Sequence, residues 1–265
     1  MEIAGYIASL IIGVSLGLIG GGGSILTVPV LVYLFSIEPV LATAYSLFIV
    51  GSTSLVGAFP KYKHGLINLK TAVIFGVPSI AAVFATRKYI IPLIPDTVFT
   101  VVEIAITKNI LMMLVFAVLM VVASITMIRN KKPEPDGIKE QKFNYPLIII
   151  EGAIVGVLTG LVGAGGGFLI IPALVILSKL PMKQAVGTSL LIIAAKSLIG
   201  FTGDVSNAEY EIDWSFLMII TAIAIAGIFL GNWLSHKVSS EKLKRGFGWF
   251  VLVMGIYIII KELFL

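Results

Sequence analysis

The sequence predicts an all-α polytopic membrane protein made of two inverted-topology repeats, each with about five membrane elements and a broken helix at a glycine-rich apex. The first observation is composition: 58% of the residues are hydrophobic and 12% are charged, whereas soluble domains contain about 25% charged residues. The second is a set of long uncharged runs, which suit spanning helices of about 20 apolar residues and lack the alternation of barrel strands. The third is an internal repeat.

The repeat aligns residues 17–57 with 160–200 at an offset of 143, without a gap and with 17 of 41 positions identical. Transporters are often built from such repeats. A hydrophilic segment, "RNKKPEPDGIKEQKFNYP", separates the halves and has the composition of a solvated linker. The predicted organisation is therefore a first membrane repeat at 1–128, a linker at 129–145 and a second membrane repeat at 146–265.

Each half contains five elements in the same order. The first apolar run ends at a glycine cluster, the second is short, and the third to fifth follow the later uncharged runs; the same order repeats after the linker. The predicted elements are 3–19, 24–36, 40–59, 69–91 and 107–128, then 146–162, 167–178, 184–203, 213–235 and 247–264.

Because each half has an odd number of elements, the second half is predicted to have the opposite orientation in the membrane. The charges of the loops support this inverted topology. The loop after the third element carries Lys61, Lys63 and Lys70 in the first half. Its counterpart in the second half is acidic, with Asp204, Glu209, Glu211 and Asp213. Because basic loops face the cytoplasm, we expect a multi-pass plasma-membrane protein with both termini outside and the linker 129–145 in the cytoplasm.

The short second elements have 12 or 13 residues and rise only about 19 Å, against a hydrocarbon core of about 30 Å. The glycine clusters at 20–23 and 163–167 are therefore predicted to end one helix inside the bilayer and to start another. A helix start directs free N–H groups and a positive dipole end at its surroundings, which suits an anion. The alternative is that these glycines only allow close helix packing. The predicted backbone ligands are Gly21, Gly22, Gly23, Gly165, Gly166 and Gly167.

Polar side chains inside the predicted helices supply further candidates. Lys196 lies about 12 residues into a spanning helix, where its charge suits an anion; the alternatives are snorkelling to the interface or pairing with Asp204. Glu151 is a candidate proton-coupling carboxylate, or else the partner of a cytoplasmic lysine. Hydroxyl groups could donate to oxyanion oxygens, or else bond the helix backbone. They belong to Ser24, Ser46, Thr188, Ser189 and Ser197.

Other classes of function fit the sequence poorly. Lys196 and Ser197 are consecutive, so on a helix they point about 100° apart and cannot form a catalytic dyad. The chain has no cysteine, and its two histidines, His64 and His236, are not at zinc-site spacing. We therefore predict no catalytic residue, no metal, no cofactor and no nucleic-acid partner. The partners expected are the lipid bilayer and a small anion.

Several segments resemble the TauE/SafE family of sulfite exporters over nearly the whole chain. They include "GLIGGGGSILTVPVLVYL", "GLVGAGGGFLIIPALVIL" and "AVGTSLLIIAAKSLIGF". The resemblance implies a transporter of sulfur-containing anions such as sulfite, thiosulfate, sulfonates or sulfoacetate. A proton or a sodium ion is a candidate coupling ion. Together with the repeat it suggests alternating access, with the anion held at two opposed half-helix N-termini near the midplane. A channel or a transporter for another small anion is the alternative. The pattern makes no prediction of oligomeric state.

Overall fold

The computed structural model describes residues 2–101, 104–129, 145–176, 178, 180–206, 211–235 and 240–264. Seven helices among these residues are long and apolar enough to cross a membrane. The predicted class of all-α polytopic membrane protein is therefore confirmed. The helices are α1 (Glu2–Ile19), α2 (Thr27–Tyr33), α3 (Pro39–Lys63), α4 (Leu69–Ala85), α5 (Ile91–Leu93), α6 (Lys108–Arg129), α7 (Tyr145–Val162), α8 (Gly167–Ile176), α9 (Met182–Val205), α10 (Trp214–Ser235) and α11 (Ser240–Phe264).

Two local features depart from the predicted helices. Strands β1 (Thr97–Val101) and β2 (Ile104–Thr107) form an antiparallel hairpin between α5 and α6. This stretch is rich in threonine, valine and isoleucine, whose branched side chains favour extended backbone. The segment Thr86–Ile90 is a π-helix, a wider turn that often occurs at functional sites. Of the predicted linker at 129–145, residues 130–144 lie outside the described residues, while Arg129 ends α6 and Tyr145 begins α7.

The first glycine cluster interrupts the helix and reverses the chain. Gly20 has a φ of +72°, which L side chains rarely adopt, and Gly20–Leu26 continues as a 3₁₀ helix into α2. Ser15 Oγ lies 3.4 Å from the carbonyl oxygen of Gly23. The rings of Tyr6 and Phe35 meet with centroids 5.6 Å apart. The start of α1 and the end of α2 therefore lie side by side.

The second glycine cluster forms the turn between α7 and α8. Gly163, Gly165 and Gly166 have φ values of +72°, +63° and +67°. The two clusters touch each other, because a methyl carbon built on Gly21 would lie only 2.7 Å from Gly167 Cα. Only glycine allows backbones to approach this closely.

The long helices pack in four main pairs: α1 with α10, α4 with α7, α3 with α9, and α6 with α11. Glycines bring two of these pairs into backbone contact. A methyl carbon on Gly17 would lie 2.6 Å from the carbonyl oxygen of Ile228, and one on Gly152 would lie 2.6 Å from the carbonyl oxygen of Phe75. Such small-residue interfaces are the usual way that membrane helices associate.

The outward faces of the helices are apolar, while many polar groups are buried. Exposed side chains include Leu55, Val73, Val118, Phe229 and Trp249. Lipid tails rather than water would cover such a surface. The polar interior is therefore the part of the molecule in which a site must be sought.

Candidate functional site

Lys196 is a charged residue buried inside the described part of the chain. Its side chain is 0% exposed, and its Nζ donates a hydrogen bond of 2.9 Å to Thr159 Oγ1 on α7. Thr159 in turn donates to the carbonyl oxygen of Gly156 at 3.2 Å. The described part of the chain contains no carboxylate that forms an ion pair with Lys196. Nζ therefore bonds inside the protein, and Asp204 is not its partner.

The turn before α8 lies directly against this ammonium group. A methyl carbon built on Gly166 would lie 2.8 Å from Lys196 Nζ, and one built on Gly165 would lie 3.5 Å from Ser197 Oγ. Ser197 Oγ is buried and has no hydrogen-bond partner. Lys196 and Ser197 therefore face the turn together although they are consecutive on α9, because the turn is wide enough to contact both.

The start of α8 adds backbone donors to this group. The carbonyl oxygen of Gly166 accepts from the N–H groups of Leu169 and Ile170, both at 3.0 Å. The N–H groups just before these two lie in the first turn of α8, where N–H groups have no acceptor within the helix. A cation, a free hydroxyl and a helix N-terminus thus converge at one enclosed place. We call Thr159, Gly165, Gly166, Lys196 and Ser197 the lysine site.

Three of the predicted hydroxyl groups are satisfied elsewhere. Ser24 donates to the carbonyl oxygen of Gly21 at 2.8 Å, and Ser189 donates to that of Val186 at 2.9 Å. Thr188 accepts from the backbone N–H of Asn68 at 2.9 Å, which ties α9 to the loop before α4. Ser46 Oγ on α3 is buried and has no partner.

The other predicted residues adjoin the lysine site less directly. Gly21, Gly22 and Gly23 are buried in the 3₁₀ segment, and Gly21 contacts Gly167, the first residue of α8. Glu151 lies eight residues before Thr159 on α7, about 12 Å along the helix axis. One oxygen of Glu151 is buried and has no hydrogen-bond partner.

A second polar group was missed by the sequence analysis. Arg87 is 0% exposed, and its Nη1 lies 3.0 Å from Thr43 Oγ1 and 3.5 Å from Asp204 Oδ1. Asp204 was predicted to lie in a loop, but it occupies the last turn of α9 and is 1% exposed, because Arg87 pairs with it. The position of Arg87 inside the predicted element 69–91 was the signal that could have found it, since charged residues in spanning helices are rare.

The remaining surroundings offer little for other chemistry. Two clefts of about 460 and 430 Å³ lie away from the lysine site, one beside Tyr45 and Phe216, the other beside Tyr33 and Lys261. Within the described ranges, no group of three or more histidine, aspartate or glutamate side chains could hold a metal ion. The enclosed lysine site is therefore the best candidate.

The fold, in which seven helices among the described residues are long and apolar enough to span a bilayer, defines a multi-pass membrane protein. The model of the sulfite exporter TauE/SafE family matches residues 6–258, and the chain belongs to this family. It is 30% identical over 257 residues to a "probable membrane transporter protein" of Xylella fastidiosa, covering 94% of this chain and 91% of that protein. A protein of the same description in Methanocaldococcus jannaschii is 27% identical, and the match covers 96% of this chain and 94% of that protein. Another in Bacillus subtilis is 26% identical, and the match covers 96% of this chain and 93% of that protein. Family and relatives indicate a transporter rather than an enzyme.

Proposed function

We propose that this protein transports small sulfur-containing oxyanions, of the sulfite, thiosulfate, sulfonate or sulfoacetate class, by alternating access. The observation that carries the proposal is the buried ammonium of Lys196, which lies against the turn before α8 and has no carboxylate partner among the described residues. A buried charge without a counter-ion is costly. An oxyanion that enters the lysine site removes this cost.

The chemistry of the lysine site suits an oxyanion in particular. Lys196 supplies charge, Ser197 Oγ supplies a hydroxyl donor, and the first N–H groups of α8 supply backbone donors. Gly165 and Gly166 carry no side chain, which lets the turn lie directly against Lys196 and Ser197. Since the lysine site is enclosed, the helices around it must move to admit and release the ion, which is the requirement for alternating access.

The helix pairs support the proposal that the two halves are inverted repeats. At the offset of 143, the pair α1 and α10 corresponds to the pair α7 and α4, and both pairs are in contact. Likewise α3 and α9 correspond to each other and pack together, as do α6 and α11. A two-fold axis between the halves would produce this pattern. With the basic loops in the cytoplasm, both termini then lie outside.

The glycine clusters follow the same correspondence. A methyl carbon on Gly20 would lie 2.6 Å from Val186, and one on Gly163 would meet Thr43, the residue equivalent to Val186. The two halves differ at the lysine site, because the first half has the uncharged Thr53 at the position that corresponds to Lys196. We therefore place the anion mainly at the second cluster, with Gly21, Gly22 and Gly23 closing it from the opposite side.

Transport by purified protein in liposomes tests this function. We expect saturable uptake of radiolabelled sulfite or thiosulfate, with competition by sulfonates and weak competition by carboxylates. Equal competition by every anion would favour a carrier for another small anion, and flux without saturation would favour a channel. Empty liposomes and heat-inactivated protein serve as controls.

A further inference from the structure

A buried ion pair lies beside the second glycine cluster, apart from the lysine site. Arg87, Asp204 and Thr43 are all at most 2% exposed. Thr43 Oγ1 accepts from Arg87 Nη1 and donates to the carbonyl oxygen of Val40 at 2.7 Å. We call these three residues the arginine cluster.

The arginine cluster and the lysine site flank the same turn. A methyl carbon on Gly163 would meet the backbone of Thr43, while one on Gly166 would meet Lys196 Nζ. These glycines are three positions apart in the sequence, so their Cα atoms are at most about 11 Å apart. An anion at Lys196 does not touch Arg87, but one that moves along the turn toward Gly163 reaches the guanidinium.

The pairing of Asp204 is incomplete. Its Oδ1 lies 3.5 Å from Arg87 Nη1, a long distance for a charge-assisted hydrogen bond. Its Oδ2 is buried and has no partner. A buried ion pair is stabilising only when its geometry is good and its remaining oxygens are hydrogen-bonded. Separating Asp204 from Arg87 therefore costs less free energy than separating a well-formed pair.

We propose that Asp204 binds the proton that accompanies each anion: the oxyanion replaces Asp204 as the partner of Arg87, and the released carboxylate takes up a proton. This inference rests on the proposed function. A buried carboxylate that loses its cation cannot stay charged at acceptable cost. One proton from water bonds to a carboxylate oxygen of Asp204, and no bond in the anion breaks. When the anion leaves, Arg87 pairs with Asp204 again and the proton is released.

The other charged groups around Asp204 do not supply this role. The helices that pack on α9 include α3, α4, α8 and the two segments Gly20–Leu26 and Thr86–Ile90. Among their titratable side chains, Lys61, Lys63 and Lys70 lie at the opposite ends of α3 and α4. Lys88 lies over the rings of Phe84 and Tyr89, and the hydroxyl of Tyr45 accepts from the N–H of Asp213. Segment Gly20–Leu26 and α8 contain none.

On α9 itself, Lys196 lies eight residues from Asp204, about 12 Å along the axis, and is bonded to Thr159. Arg87 is therefore the cation that holds Asp204 ionised. Any change that occupies Arg87 acts directly on the protonation of this carboxylate.

Proteoliposomes with a pH dye in the lumen test the proposal. An inward gradient of thiosulfate, or of a transported sulfonate, is applied, since these anions do not titrate near neutral pH. For the unmodified protein we expect lumenal acidification that accompanies anion uptake. In Asp204→Asn, acidification should fall to the leak of empty vesicles, and anion uptake should lose its dependence on pH. Asp213→Asn, an exposed carboxylate that caps α10, is the matched control and should behave as the unmodified protein does.

Asp204→Asn leaves the guanidinium of Arg87 without this carboxylate, so the variant can fail to fold. If Asp204→Asn does not fold, the double variant Arg87→Gln with Asp204→Asn, which contains neither charge, tests whether Asp204 carries the proton. We expect it to bind the anion more weakly and to move no protons. Proton movement per anion that is unchanged in either variant would overturn the proposal. So would loss of proton movement in Glu151→Gln with retention in Asp204→Asn.

The two proposals fail in different ways. If the unmodified protein moves no sulfur anion, the proposed function is wrong. If it moves the anion without protons, the function stands and only the role of Asp204 is wrong. The unmodified protein in the same vesicles therefore separates the two outcomes.

Discussion

Replacing Lys196 with methionine tests the lysine site most directly. Methionine has a similar length and no charge, so the change removes the ammonium while it fills most of the space. We expect the folded state to be as stable as before or more stable, because the change removes a buried charge that has no carboxylate partner among the described residues. Anion affinity should fall.

The size of the loss follows from the burial of Lys196. Two unit charges about 4 Å apart interact with about 4 kcal/mol at an effective dielectric constant of about 20. That corresponds to an upper limit of about 1000-fold in Kd. Ser197 and the N–H groups of α8 remain in the variant, so we expect a rise in Kd of about 100-fold.

Ligand-dependent thermal unfolding in detergent measures this loss. An anion at 100 times its Kd stabilises the unmodified protein by about 2.7 kcal/mol, which a 100-fold rise in Kd reduces to about 0.4 kcal/mol. The shift in Tm would fall from about 5–10 °C to about 1 °C. Lys63→Met removes the same charge from an exposed position and should retain the full shift. An unreduced shift in Lys196→Met would refute the lysine site as the place where the anion binds.

Two further predictions concern the turn and the topology. Gly165→Ala should lower the free energy of unfolding by at least about 1–2 kcal/mol, because an L residue is strained at positive φ and its methyl group would lie 2.6 Å from Val50 Cγ1. Gly76→Ala, whose methyl group would have only Ile192 Cγ1 at 3.8 Å, should be neutral or stabilising by up to about 1 kcal/mol; thermal unfolding compares the two, and equal stability would contradict the strain at the turn. For topology, a thiol reagent restricted to the outside should label Glu211→Cys and leave Lys63→Cys unlabelled, since both positions are exposed and the native chain has no cysteine. Labelling of both from the same side would disprove the inverted halves.

Much of the fold could be predicted because its signals are local. The runs of apolar residues predict the helices closely: α3 was expected at 40–59 and is found at Pro39–Lys63, and α10 was expected at 213–235 and is found at Trp214–Ser235. Hydrocarbon thickness sets the length of such runs whatever their neighbours are. The β-hairpin after α5 was not predicted, since a short extended pair depends on cross-strand contacts rather than on periodicity.

The candidate site was predictable in its members and not in its arrangement. The sequence singled out Lys196 because a charge in an apolar run is exceptional. It could not show that Nζ would bond to Thr159 rather than reach the interface, because that contact joins α7 to α9 across 37 residues. For the same reason Ser24 and Ser189 looked equivalent to Ser197, although of these three serines Ser197 alone has a hydroxyl without a partner.

By itself, the sequence determined the class of protein, the bounds of most long helices and the duplicated glycine clusters, since composition, run length and internal repetition are properties of the chain alone. The last helix was expected at 247–264 but begins at Ser240, and the second was expected at 24–36 but is α-helical only over Thr27–Tyr33. Only the tertiary structure decided which charges meet. Asp204 and Arg87 are 117 residues apart, and the packing of α9 against Thr86–Ile90 brings them together and buries both. Burial and partnership depend on elements that are distant in sequence, so no local pattern could assign them.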